Sequence, residues 1–165
     1  MNNIPISDKI PELDIAIKAA IEAGNEIIEI YKKDFDTFIK KDDSPITEAD
    51  LRSNEIIKKS LSKTKYPILS EEDKDDQNRI LEKIIWIIDP LDGTSDFIDR
   101  TGEFTVMISL IENKKPILGV ISWPIKKLLF TFLLHSLFSF LFNHCFSNSQ
   151  VLKKRTLFFQ QLPYG

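Results

Sequence analysis

The chain has 165 residues, a net charge of −3, 42% hydrophobic residues and one cysteine. This length suffices for one domain with a real core, and the charge gives no reason to expect a nucleic acid partner. One cysteine excludes an internal disulfide and is compatible with a reducing compartment. Residues 1–13 are polar and contain two prolines, so no signal peptide is expected.

Two helices are predicted in the first third of the chain. Apolar residues recur at steps of three and four between Glu12 and Lys32, which is typical of one face of an amphipathic helix. A second helical pattern begins near Thr47 and runs to Leu61. Thr47 and Asp50 stand three apart at its start, as a capping pair would. The alternative interpretation makes Asp50 a base that orients water near a cation, and the spacing leaves both open.

Two short apolar runs end in acidic residues. Tyr66 to Leu69 is a strand candidate followed by Ser70-Glu71-Glu72-Asp73, and Ile84 to Ile88 is a candidate for a buried strand followed by Asp89. Each acidic segment could be a solvated turn. If the two strands are neighbours, Glu71 faces the loop at Asp89 and three carboxylates converge, which is costly without a cation.

The range from Asp89 to Thr94 combines residue types that suit a hard cation and a phosphate. Mg²⁺ prefers oxygen ligands, usually one or two carboxylates with water and a substrate phosphate, and a tight turn could add the carbonyl of Leu91. Gly93 would let backbone N–H groups approach a phosphate, and Thr94 begins a possible helix. An acidic turn without a function is the alternative.

A β-hairpin is predicted after this loop. Phe104 to Ile111 and Pro116 to Trp123 alternate as strands do, and a turn at residues 113–115 joins them. The sheet is therefore expected to be at least partly antiparallel. Residues 75–83, upstream of the loop, are predicted as a short helix or a loop.

Residues 125–165 differ in composition from the rest of the chain. They hold eight of the 12 Phe, both His, the only Cys, five Lys or Arg and no acid, so they carry +5 and residues 1–124 carry −8. We therefore predict that 1–124 form the N-terminal part of a domain and that 125–165 form a Phe/Leu/Lys-rich tail.

Three interpretations of this tail are open. Its apolar stretch 128–142 could associate with a membrane, although it is shorter than the roughly 20 residues of a membrane span. The tail could instead be an exposed strand region. The composition favours a third interpretation, in which a shift of reading frame near codon 125 has made the tail foreign to the upstream domain.

Four stretches in order resemble the inositol-monophosphatase-like, Mg²⁺-dependent, lithium-sensitive phosphatases. These stretches are Ser44-Pro45-Ile46-Thr47-Glu48-Ala49-Asp50, Leu69-Ser70-Glu71-Glu72, Trp86-Ile87-Ile88-Asp89-Pro90-Leu91-Asp92-Gly93-Thr94 and Gly102-Glu103-Phe104-Thr105-Val106. Within that family the chain is most similar to the bacterial 3'(2'),5'-bisphosphate nucleotidases of sulfur assimilation. The resemblance covers about residues 10–124.

This resemblance implies an α+β fold with helices layered on a mainly antiparallel sheet. It also implies a set of site residues. Glu71, Asp89 and Asp92 would bind Mg²⁺ through carboxylates and Leu91 through its carbonyl, Gly93 and Thr94 would hold the phosphate, and Asp50 would act with Thr94 to orient the attacking water. The implied reaction is hydrolysis of a phosphate monoester, the 3'-phosphate of adenosine 3',5'-bisphosphate, without a covalent enzyme intermediate.

The chain also departs from the family. Members run to about 250 residues, and their second half supplies a further metal-binding Asp in a Trp-Asp-x-Ala-type motif that does not occur after Trp123. Two alternatives to the nucleotidase therefore stay open, namely a catalytically inactive truncated remnant and an inositol or sugar monophosphatase. The expected partner is a small phosphorylated substrate, and the expected location is the cytoplasm, where residues 128–142 could bring the chain to the inner membrane.

Overall fold

A computed structural model describes residues 10–73 and 82–133, and the backbone of 158–161. This part of the chain has three helices and eight strands, with the helices in its first two thirds and four successive strands after them, which confirms the predicted α+β class. In chain order they are α1 (Pro11–Tyr31), β1 (Thr37–Ile39), β2 (Pro45–Thr47), α2 (Glu48–Leu61), β3 (Ile68–Ser70), β4 (Ile84–Asp92), α3 (Thr94–Ile98), β5 (Thr105–Glu112), β6 (Lys115–Trp123), β7 (Leu128–Leu133) and β8 (Phe158–Gln161).

Six strands form one sheet in the order β3-β4-β5-β6-β7-β8, and β1 pairs with β2 separately. Only the β3–β4 pair of the larger sheet is parallel, so the prediction of a mainly antiparallel sheet is confirmed. The predicted hairpin is β5–β6. Its turn places Asn113 and Lys114 at φ of 49° and 62°, the left-handed conformation that suits the right-handed twist of a two-residue hairpin.

Helices α1 and α2 pack against each other and against one face of the larger sheet. Four fully buried alanines of α1, Ala16, Ala19, Ala20 and Ala23, keep this helix close to its neighbours. The larger core side chains come from the facing strands and include Trp86, Ile108 and Leu118, which are at most 1% exposed. The burial of so much apolar surface is the main stabilising term for this layer of the fold.

An aromatic cluster joins the end of α1 to α3. The rings of Tyr31, Phe35, Phe97 and Phe104 lie in tilted or edge contacts with centroids 4.7 to 5.1 Å apart. Arg100 covers this cluster because its guanidinium lies 4.9 Å from the Tyr31 ring and donates to the carbonyl oxygens of Tyr31 and Lys33. The cluster fixes α3, and with α3 the loop that precedes it.

Strand β4 is longer than predicted. The sequence predicts an end at Ile88, but the strand continues through Pro90 to Asp92. Asp89 pairs with Met107 and Asp92 with Thr105, so two residues of β4 oppose one of β5 between those pairs. This is a β-bulge, which accommodates a proline without an N–H and turns the side chains that follow it.

The first residues of the tail belong to the sheet. Leu128–Leu133 pairs with β6, and Leu129 is only 2% exposed. Residues 134–157 and 162–165 lie outside the described residues, as do residues 75–81 of the segment 75–83 that is predicted as a short helix or a loop. The boundary at residue 125 and the shifted reading frame therefore stay predictions.

The predicted membrane association finds no support in the described part of the chain. Of the stretch 128–142, residues 128–133 are the half-buried strand β7 and the others lie outside the description. Among the described helices, none is long and apolar enough to cross a membrane.

Candidate functional site

Strand β3 ends beside an interior part of β4, so the two strands are neighbours, which is the condition under which the sequence predicts that Glu71 faces Asp89. The two strands are parallel with Ser70 opposite Ile88, and the backbone N–H of Glu71 donates to the carbonyl of Ile88 at 3.1 Å. Glu71 and Asp89 follow this last pair on neighbouring strands. Two of the predicted metal-binding carboxylates therefore lie next to each other, because β3 ends opposite the residue of β4 that precedes Asp89.

Asp89 occupies an unfavourable position for a carboxylate. Burial, and then the neighbouring Glu71 and Asp92, together raise its pKa from the ordinary 3.8 to about 7. Its Oδ1 atom is buried and accepts no hydrogen bond among the described residues. A buried carboxylate oxygen without a donor usually has an ion or water as its partner, so this atom fits a bound cation.

Asp92, the third predicted carboxylate ligand, is more exposed than Asp89. Asp92 is exposed after the bulge, and the Thr105 hydroxyl donates weakly to its Oδ2 at 3.4 Å. In the described ranges, no three His, Cys, Asp or Glu side chains converge closely enough to hold a metal ion as they stand. The acids are thus neighbours with mutual repulsion, and a cation would have to draw their side chains together.

Asp50 and the half-buried Thr94 form a hydrogen-bonded pair. Asp50 is fully buried, and its Oδ1 accepts from the Thr94 hydroxyl at 2.8 Å. Its Oδ2 accepts from the backbone N–H and the hydroxyl of Thr47 at 2.8 and 2.6 Å. The cap of α2 predicted from Thr47 and Asp50 is therefore present, and the same carboxylate also contacts Thr94. The sequence had left these two interpretations as alternatives, but the structure accommodates both.

The last residues of β4 are held by α2. The hydroxyl of Ser53 donates to the carbonyl of Pro90 at 2.7 Å. The Thr94 hydroxyl lies 3.3 Å from the carbonyl of Leu91, while the Leu91 side chain is 2% exposed. The buried side chain anchors Leu91, and its carbonyl oxygen is directed toward the loop, where the resemblance expects a metal ligand.

Gly93 is required at its position for two reasons. Its φ of 95° is a conformation that other residues rarely adopt, and a Cβ atom there would lie 2.8 Å from the backbone oxygen of Glu103. Only glycine therefore lets β4 turn into α3 at this distance from the loop before β5.

Gly93→Ala is expected to destabilise the protein by about 1 to 2 kcal/mol more than Gly102→Ala. Both replacements incur the left-handed backbone penalty of about 1 to 2 kcal/mol. Gly102 has a φ of 81°, but a Cβ atom there would meet only the Ile125 side chain at 3.4 Å. Urea unfolding of the two variants measures the difference, and equal destabilisation would contradict the close contact with Glu103.

Lys40 is a site residue that sequence reasoning missed. It follows β1, and its Nζ lies 2.8 Å from Glu72 Oε2 and 3.5 Å from Glu71 Oε1. Burial lowers the pKa of Lys40, but its hydrogen bond and charge interaction with Glu72, and then with Glu71, raise the pKa overall. Its neighbour Lys41 is exposed.

The Glu72 side chain is the buried partner of this ion pair. It is 2% exposed, and burial raises its pKa, although Lys40 opposes the rise. We expect Lys40→Met to destabilise the protein by about 2 to 3 kcal/mol at pH 8, because it leaves a buried carboxylate without its cation. Since a raised pKa in the folded state weakens stability as pH rises, the loss should shrink toward pH 4.

Urea unfolding at both pH values measures this effect. Lys41→Met, the exposed neighbour, is the control and should cost less than about 0.5 kcal/mol. The double variant Lys40→Met with Glu72→Gln should recover most of the loss. A loss that is independent of pH, or that the second substitution does not relieve, would assign Lys40 a packing role.

The protein is an α+β protein with helices on one face of a mainly antiparallel sheet. It has a candidate cation site, where acids of the neighbouring strands β3 and β4 come together, and a hydrogen-bonded Asp–Thr pair. Residues 8–157 match the inositol monophosphatase family. The chain belongs to this family, as the resemblance of its four stretches predicts.

The chain spans about half the length of the relatives that it matches. The 3'(2'),5'-bisphosphate nucleotidase CysQ of Escherichia coli strain K12 is 40% identical over 124 residues, which are 72% of this chain and 50% of that protein. The protein of the same name from Buchnera aphidicola is 42% identical and is covered to 47%. The crystal structure of CysQ from Bacteroides thetaiotaomicron superimposes with a TM-score of 0.67 at 43% identity, covering 76% of this chain and 47% of that one.

Proposed function

We propose that this chain carries the metal-binding and water-orienting part of a phosphate-monoester hydrolase whose substrate is adenosine 3',5'-bisphosphate. The observation that carries the proposal is the hydrogen bond between Asp50 and Thr94. Thr94 lies just after β4, the strand that also carries Asp89, a carboxylate with a buried oxygen that has no partner among the described residues. Its similarity to bisphosphate nucleotidases at about 40% identity supports the substrate class.

The donor set fits Mg²⁺, which takes hard oxygen ligands. Glu71, Asp89 and Asp92 would hold it through carboxylates and Leu91 through its carbonyl oxygen. The raised pKa of Asp89 supports this assignment because a cation would offset both causes of the rise, burial and the adjacent acids. Bound there, Mg²⁺ would act as a Lewis acid and lower the pKa of water.

The protein's own part is to receive the proton of the attacking water. The Thr94 hydroxyl donates to Asp50 Oδ1, so its oxygen keeps lone pairs with which to accept a proton from water. As the water attacks phosphorus and the bond from phosphorus to the ribose oxygen breaks, the water proton would pass to Thr94 Oγ1 while the Thr94 proton passes to Asp50 Oδ1. The leaving ribose oxygen would take its proton from solvent. The two hydrogen bonds from Thr47 fix Asp50 Oδ2 and leave Oδ1 as the acceptor.

The loop between β4 and α3 would hold the phosphate. Gly93 has no side chain, and its left-handed conformation turns the backbone just before Thr94. Backbone N–H groups of Gly93 and Thr94 could therefore approach phosphate oxygens without steric hindrance.

A phosphate-release assay tests the proposal. Purified full chain is incubated with adenosine 3',5'-bisphosphate, with and without Mg²⁺, and inositol 1-phosphate is the comparison substrate. We expect Mg²⁺-dependent release that is faster from the nucleotide. Faster release from inositol phosphate would favour the sugar-phosphate alternative, and no release at millimolar Mg²⁺ would favour the inactive remnant. The location in the cytoplasm stays a prediction.

A further inference from the structure

The turn that follows β3 carries Glu71 on an exposed side chain. The Glu71 side chain is 56% exposed, so little packing fixes its carboxylate. Its place beside Asp89 therefore depends on the backbone of residues 70–73, which we call the Glu71 turn. A ligand that is oriented by its backbone needs other contacts to hold that backbone still.

Ser70 closes the Glu71 turn at its first residue. The Ser70 hydroxyl accepts from the backbone N–H of Glu72 at 3.2 Å, and the Ser70 carbonyl accepts from the N–H of Asp73 at 3.2 Å. Ser70 itself is only 4% exposed. The contacts that hold Ser70 and Asp73 therefore also hold Glu71, which lies between them.

Helix α2 holds both ends of the Glu71 turn. The Ser70 hydroxyl donates to Asn54 Oδ1 at 2.8 Å. The Lys58 ammonium donates to both carboxylate oxygens of Asp73, at 2.8 and 2.9 Å. Asn54 and Lys58 are four residues apart and so lie on the same face of the helix. Two neighbouring side chains of α2 thus hold the turn at its first and last residues.

The same face of α2 also carries Asp50. It lies four residues before Asn54, and its Oδ1 atom accepts from the Thr94 hydroxyl. One row of side chains therefore contacts both Thr94 and the Glu71 turn. Because the row belongs to a single regular helix, it fixes the position of the turn relative to the Asp50–Thr94 pair.

We propose that Asn54 and Lys58 are positioning residues for Glu71, which they hold through the two ends of the Glu71 turn. The inference rests on the proposed function, since it takes Glu71 as a ligand of Mg²⁺. Asn54 and Lys58 contribute no ligand themselves. They keep the Glu71 carboxylate near Asp89, so that a cation does not have to order the turn when it binds. Loss of either contact adds that ordering to the cost of binding and weakens it.

Titration calorimetry of the full chain with Mg²⁺ tests the proposal without requiring activity. We expect Asn54→Ala to raise the dissociation constant of Mg²⁺ about tenfold, as is common when a residue that orients a ligand is removed. Both residues are neutral, so the substitution changes no charge near the site. Asn54→Asp keeps an acceptor for the Ser70 hydroxyl and should bind Mg²⁺ no more weakly than the wild type.

Lys58→Met is a second variant, for which charge and positioning predict opposite results. Removal of a positive charge near a cation site would by itself strengthen Mg²⁺ binding. Release of Asp73 from α2 should instead weaken binding, by about threefold or more. Lys58→Arg keeps a cation for Asp73 and should restore most of the affinity.

Thr64→Val is the matched control for stability. The Thr64 hydroxyl, just after α2, accepts from the Trp86 indole N–H at 3.0 Å, so valine also removes a hydrogen bond between this region and the sheet. It should lower the midpoint of unfolding, as Asn54→Ala does, and leave the dissociation constant of Mg²⁺ unchanged. Circular dichroism identifies a temperature at which the variants are folded, and the titrations are made there.

The possible results separate the positioning role from the proposed function. Unchanged Mg²⁺ affinity in Asn54→Ala and Lys58→Met would overturn the positioning role and leave the proposed function intact. Equal weakening by Thr64→Val would overturn it in favour of a general loosening of the fold. Absence of Mg²⁺ binding by the wild type would overturn both. Binding in the expected order without phosphate release would support the positioning role and contradict only the proposed activity.

Discussion

Asp89→Asn should make the metal-free protein more stable at pH 8 and at the same time abolish its response to Mg²⁺. The charged form of Asp89 is disfavoured by burial, by Glu71 and by Asp92. Asparagine has nearly the same shape without the charge, so the replacement removes that cost. It also removes the carboxylate that a cation would need as a ligand.

The sign of the stability effect follows from the raised pKa. Because the folded-state pKa is about 7 and the unfolded value is near 3.8, the folded protein binds a proton that the unfolded chain releases between these values. The contribution of Asp89 to the free energy of unfolding of the wild type is greatest below about pH 4, and it is lost as the pH rises through about 7. Asp89→Asn should therefore add about 1 to 2 kcal/mol at pH 8, discounted for solvent screening, and almost nothing at pH 4.

Thermal unfolding at both pH values, with and without Mg²⁺, measures both effects. Mg²⁺ at ten times its dissociation constant should stabilise the wild type by about 1.4 kcal/mol and leave Asp89→Asn unchanged. Where the chain is active, the rate should fall about 100-fold or more. Asp99→Asn, which removes one charge at an exposed position just after α3, is the control for net charge. Stabilisation by Mg²⁺ that survives in Asp89→Asn would contradict the site.

The sequence predicts those parts of the site that depend on strand ends. The apolar runs before Glu71 and Asp89 are strong strand signals, and the two acids meet because β3 and β4 are parallel neighbours, which was only a condition of the prediction from sequence. The bulge at Pro90 and Leu91 was not predicted, because it depends on how β4 pairs with β5, which the local sequence does not contain.

Lys40 was missed because its contacts, like the bulge, depend on strand pairing that the local sequence does not show. Strands β1 and β2 have three residues each, which is too short for a periodic pattern to appear. Without that hairpin, nothing distinguishes Lys40 from Lys41 in sequence. The contact of Lys40 with Glu72 comes from tertiary structure, across more than 30 residues of chain.

The role of Asp50 could not be assigned from sequence, because an aspartate at this position can serve either as a helix cap or as a base. Its three hydrogen bonds nevertheless allow the two roles to be separated by substitution. Asp50→Ala removes every acceptor and leaves the buried backbone N–H of Thr47 without a partner, which should cost about 3 kcal/mol in the free energy of unfolding. Asp50→Asn keeps one oxygen for Thr47 and should cost only about 1 kcal/mol.

The activity of these variants should follow a different order from their stability. The amide of Asp50→Asn would donate to Thr94, whose hydroxyl can then turn toward the carbonyl of Leu91, 3.3 Å away. Neither the amide nor alanine can accept a proton from Thr94, so both variants should lose about 10² to 10⁴ in rate. Ser53→Ala, which loses a single buried hydrogen bond to Pro90, should cost about 1 kcal/mol and keep most of the activity. Urea unfolding and phosphate release on the same preparations separate the two roles. If Asp50→Asn keeps its rate, Asp50 is a cap alone, and the proton must leave the attacking water by another route.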